Sequence, residues 1–209
     1  MEYCPTDYTN FCAITTYYKS SKGKDSRNFS VLYNNLFDSH RQDELRVLEF
    51  CHAESDSSPE PYGASLRAWG VFLQNSEIIG ISTNANSAQF SDDKIKIFEC
   101  NEVSIERIVE LFNEHSELDE NFDLIIDSNE TSFAKKVIFF HTVLEKLTVN
   151  GFHVIEGLSF DELPTIELQM SDWRDRYPNC EYFLERVENP FANTPDALII
   201  IIQKLGNNQ

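Results

Sequence analysis

Apolar residues recur along this chain in two alternating rhythms. Short, largely apolar runs at 45–50, 78–81, 95–98, 122–127 and 152–155 predict buried strands, while the stretches between several of them space their apolar residues as a helix does. Residues 29–39 place Leu32, Leu36 and Phe37 on one helical face, and residues 63–73 do the same with Leu66, Trp69 and Leu73. The pattern repeats over 103–112 with Ile105, Ile108, Val109 and Phe112, and over 132–147 with Val137, Phe140, Leu144 and Leu147. Residues 183–187 and 197–202 read as two strands joined without a helix, through a loop bearing Pro190 and Pro195. Strands alternating with helices and closed by such a pair predict an α/β, Rossmann-like protein. Its sheet is mainly parallel and seven-stranded, with helices on both faces and an antiparallel hairpin at one edge.

Length and charge narrow what such a sheet can do. The 209 residues suit a single domain, with 1–40 as an N-terminal segment and helix and 41–209 as the body of the fold. A net charge of −18 repels phosphate backbones and anionic membranes, so neither nucleic acid nor a membrane is an expected partner. The one basic stretch, 19–27, reads as a solvated loop. Five cysteines without a CxxC spacing suit reduced thiols and a cytoplasmic protein. Of the histidines, His141 lies in an apolar helix and His153 in a strand, both structural in character, while His52 stands just past the first strand beside Glu54 and Asp56. After the fifth strand, Asp161, Glu162 and the run Asp172-Trp173-Arg174-Asp175-Arg176-Tyr177 suit solvated loop acids, a lid or a protein contact.

Candidate chemistry gathers where strands end. Glu49 closes the first strand, Gly63-Ala-Ser-Leu-Arg-Ala-Trp69 forms a loop entering a helix, and Asp127 closes the 122–127 strand. In order and spacing these blocks, with the 17–37 segment, the 75–81 strand and residues 147–158, resemble the class I S-adenosylmethionine-dependent methyltransferases. Within that fold the chain is most similar to the metal-dependent sugar O-methyltransferases of macrolide and tetracenomycin biosynthesis. The resemblance implies S-adenosylmethionine as cofactor, bound by Glu49, Gly63, Ser65, Ser82, Asn101 and Asp127. It also implies a divalent cation such as magnesium, held by Asp127 and Glu156, which would lower the pKa of a hydroxyl on a sugar or similar small substrate.

The chain departs from that pattern at the positions that touch ligands. Cys51 stands where the first loop has glycine, and Ser82-Thr83-Asn84 offers neutral groups where a carboxylate would grip the ribose hydroxyls. Cys100-Asn101-Glu102 replaces Gly-Asp-Gln, and Asp127-Ser128-Asn129-Glu130-Thr131 keeps the first acid of Asp-Asp-Gly-Ser-His but not its base. Gly157 stands where a second metal acid belongs, and only seven glycines occur in the whole chain. These departures lead to the expectation of a methyltransferase-like pseudoenzyme that acts by binding a protein partner, with no catalytic residue retained. The alternative is an active O-methyltransferase on a small hydroxylated molecule.

Overall fold

A computed structural model describes residues 10–51, 63–84, 91–100, 104–129, 131–189 and 196–206. The expected loops over 52–61 and 190–195, together with Asn101, Glu102 and Glu130, lie outside the described residues.

Seven strands form one sheet: β1 (Arg46–Cys51), β2 (Glu77–Ser82), β3 (Ile95–Glu99), β4 (Phe122–Asp127), β5 (Leu147–Leu158), β6 (Cys180–Val187) and β7 (Ala197–Lys204). Their order is β3-β2-β1-β4-β5-β7-β6; β1 to β5 pair in parallel, and β7 runs antiparallel to both of its neighbours. The mainly parallel seven-stranded sheet with an antiparallel edge hairpin is therefore present. Within that hairpin the later strand, β7, is the inner one.

Helices α1 (Asn10–Tyr18), α2 (Ser30–Phe37) and α3 (Ala64–Phe72) cover one face of the sheet; α4 (Ile105–Glu114), α5 (Phe133–Val143) and α6 (Leu163–Arg176) cover the other. Each side seals its own core. Under the first three helices, Phe11, Tyr33 and Phe72 crowd around Trp69, and under the second three Phe140, Trp173 and Tyr182 pack on Ile155 and Ile202. β4 is apolar to both faces because both are covered.

Local chemistry sets the helix ends. Gly63 opens α3 at φ 66, a left-handed conformation that glycine adopts without a Cβ penalty. Ser104 caps α4 by accepting from the Arg107 N–H at 3.3 Å. At the far end of α3 the Lys94 ammonium donates to the carbonyls of Gly70, Leu73 and Gln74, putting a cation where the helix dipole is negative.

Three expectations need correction. The helix expected over 132–147 ends at Val143, followed by a 3-10 turn over Leu144–Lys146, and β5 begins at Leu147 instead of 152. The acids after the fifth strand belong to an ordered element. Ser159 and Glu162 form a capping box ahead of α6, Pro164 sits in its first turn, and Trp173 is fully buried in the core, not in a lid. Finally, the basic 19–27 stretch is not a uniformly solvated loop: Lys22 is buried at the end of the sheet.

Candidate functional site at the carboxyl edge of the sheet

Parallel strands end together, so β1, β4 and β5 bring Glu49, Asp127 and Glu156 to one edge. β1 lies between β2 and β4, with Glu49 in register with Gly80 and Ile126, while Asp127 is in register with Ile155 of β5. Glu156 follows Ile155 and therefore takes the opposite face of the sheet from Asp127. The side-chain partners agree. Asp127 meets Lys136 of α5 on one side, and Glu156 meets Lys22 and Tyr33 on the other.

Each of these acids is buried and already bonded. Side-chain exposure is 1% for Glu49 and 2% for Asp127 and Glu156, and the two lysines are equally hidden, Lys22 at 2% and Lys136 at 1%. The Lys22 ammonium lies 2.7 Å from both oxygens of Glu156 and 3.1 Å from Glu49 Oε1. Tyr33 donates its hydroxyl to Glu156 Oε1. Glu49 also accepts from Ser65, in the first turn of α3, and from Ser128, each at 2.8 Å. Lys136 Nζ is 3.1 Å from Asp127 Oδ1 and 2.5 Å from the Asn129 carbonyl oxygen.

Burial and pairing pull on these groups in opposite directions. Burial works to discharge Lys22, but attraction to Glu156 and then Glu49 outweighs it, and the ammonium is held above its usual range. Burial pushes up the Glu49 and Asp127 carboxyls against the pull of Lys22 and Lys136. Burial, and then Glu156, raises the Tyr33 hydroxyl, which leaves it a neutral donor.

The remaining expected residues fall around this cluster. Gly63 and Ser65 form the start of α3 beside Glu49, and Ser82 is buried at the tip of β2. Its hydroxyl accepts from the Asn84 N–H at 3.1 Å and its carbonyl accepts from the Cys100 N–H at 2.8 Å, tying β2 to the end of β3. Asn101 lies outside the described residues. Cys51, at the end of β1, is partly exposed, and its carbonyl accepts from the Asn129 side chain at 3.2 Å.

Neither lysine is among the site residues to which the sequence points. Lys22 has no sequence signature, because its partners lie 27 and 134 residues away. Lys136 does have one: it sits three residues after Phe133 and four before Phe140, so it falls on the apolar stripe of α5.

A divalent cation does not suit this donor set. The two acids expected to hold it face opposite sides of the sheet, each is closed by an ammonium, and among the described residues no group of three His, Cys, Asp or Glu side chains is placed to ligate a metal. No described helix is long and apolar enough to cross a membrane.

No family model and no curated protein matches the sequence. Solved structures do match the fold. The MycE methyltransferase of the mycinamycin biosynthetic pathway, in complex with Mg, SAH and mycinamycin VI, aligns over 98% of this chain with a TM-score of 0.74 at 18% identity. This chain spans only 57% of the length of that protein. An O-methyltransferase from Bacillus cereus in complex with SAH aligns over 96% of this chain and 93% of its own at a TM-score of 0.60 and 9% identity. A putative rRNA-methylase from Clostridium thermocellum covers 84% of this chain at 0.58 and 8%. Strand order, the antiparallel β7 and these neighbours together give this chain the fold of the class I S-adenosylmethionine-dependent methyltransferases.

Proposed function

We propose that this protein is a methyltransferase-fold pseudoenzyme that acts by binding another protein and does not transfer methyl groups. One observation carries the reading: the tip of β2 presents a buried serine whose hydroxyl is turned back onto Asn84, in place of a carboxylate that could accept both ribose hydroxyls of a nucleoside. Glu49 supports it, because both of its oxygens are occupied by Lys22, Ser65 and Ser128. With a net charge of −18, the partner surface would be neutral or basic.

Calorimetric titration with S-adenosylmethionine and S-adenosylhomocysteine tests the reading. No binding heat up to millimolar ligand is expected, and micromolar affinity for either would overturn it. The second reading is an active O-methyltransferase on a sugar or other small hydroxylated molecule. It is favoured by the loop at Gly63, whose left-handed turn and Ser65–Glu49 hydrogen bond keep the start of α3 close to β1. Release of S-adenosylhomocysteine in the presence of a hydroxylated acceptor would establish it.

A further inference from the structure

We infer that Lys22 and Lys136 are built-in counter-cations, standing in for a divalent metal, so that whatever this edge of the sheet binds is bound without one. Charge counting comes first. Three buried carboxylates, Glu49, Asp127 and Glu156, face two buried ammoniums. That leaves one negative charge, on the face where Lys22 meets both Glu49 and Glu156. A divalent ion added to the same cluster would overshoot to net positive, and in a site this dry an uncompensated charge of either sign is costly.

Geometry comes second. A metal bridging Asp127 and Glu156 would have to draw together side chains on opposite faces of the sheet, and it would have to displace Lys22 from both oxygens of Glu156 at 2.7 Å and Lys136 from Asp127 at 3.1 Å. Both ammoniums are buried, and Lys22 sits in a segment that is itself held in place. The 19–28 segment is fastened by hydrogen bonds from the Ser30 N–H to the Lys22 carbonyl at 2.9 Å and from the Asn28 side chain to the Glu188 carbonyl at 2.9 Å. Ser128 completes the case. It stands beside Asp127 and spends its hydroxyl on Glu49, so it adds an internal hydrogen bond where a second carboxylate would add a ligand.

The test is paramagnetic and needs no catalysis. Manganese is titrated into the full chain, labelled with nitrogen-15 on backbone and lysine side chains, and followed by NMR. Broadening is expected only at surface acids, with the amides of Ser128, Asn129 and Gly157 and the slowly exchanging ammonium signals of Lys22 and Lys136 unaffected. Saturable broadening of those amides, with loss of the two ammonium signals, would overturn the inference. Asp127→Asn serves as a control, since broadening of those amides that disappears in this variant places the ion on Asp127. The result is independent of the nucleoside titration: a chain that binds S-adenosylmethionine but leaves these signals sharp refutes the pseudoenzyme reading and keeps this one.

Discussion

Lys22 carries its charge in a place that sequence patterning assigns to solvent, and its value to the protein follows from what its loss would leave behind. Without the ammonium, Glu49 and Glu156 become two adjacent buried carboxylates. Lys22→Met is expected to lower unfolding stability by about 3–5 kcal/mol, and Glu156→Gln in the same chain is expected to restore part of it; denaturant unfolding of the single and double variants measures both. His153 is the opposite case. It lies in β5 between Phe139 and Phe140, neither ring nitrogen has a hydrogen-bond partner among the described residues, and burial, then nearby Lys136, depresses its pKa from 6.5 to about 3. The unfolded chain takes up a proton near pH 6.5 while the folded chain refuses it down to about 3. Stability from this residue is thus complete above pH 6.5 and falls by about 1.4 kcal/mol for each pH unit below it. His153→Leu should remove that part of the slope and stabilise the protein at pH 5, as read from unfolding curves of the two chains at matched pH.

At the level of elements, α3 is held against β2 by a close approach that one residue permits. A Cβ built on Gly80 would lie 2.4 Å from Cδ1 of the buried Leu66, so that side chain would have to shift. Gly80→Ala is expected to cost about 1–3 kcal/mol. The same change in a Leu66→Ala background should cost clearly less, and equal costs in both backgrounds would show that the contact is not the cause. The central strands β1, β2 and β4 were legible because each is a short, largely apolar run buried on both sides, as Phe122 to Asp127 illustrates. α6 was not, because its apolar residues Ile166, Met170 and Trp173 are interleaved with charged residues on its open face, and a single buried stripe among acids looks like loop chemistry. The tips of the strands were legible too, in Glu49, Asp127 and Glu156. Their counter-ions were hidden, since no local pattern links Lys22 to an acid at position 156, whereas Lys136 on an apolar helical stripe was a signal that could have been used.

Across the whole molecule, a net charge of −18 and the five buried charges at the sheet edge respond differently to salt. Repulsion among exposed acids is screened over about 8 Å at physiological ionic strength, so the melting temperature of the wild-type chain should rise by several degrees between low and moderate sodium chloride. The buried pairs are shielded from ions, and the destabilisation caused by Lys22→Met should therefore be the same at both salt concentrations. A penalty that shrinks with salt would mean that water reaches the cluster. The order of the sheet also has a consequence for how the protein is made. β6 touches the sheet only through β7, yet β6 leaves the ribosome first. Until residues 197–204 emerge, β6 has no neighbour to bond, and Tyr182 lacks Ile202, the residue it comes to lie beside. Nascent chains halted before residue 197 should therefore be cut by protease within α6 and β6 and should recruit chaperones. Chains extended past residue 204 and clear of the exit tunnel should resist the protease, so the last strand to arrive is the one that locks this end of the sheet.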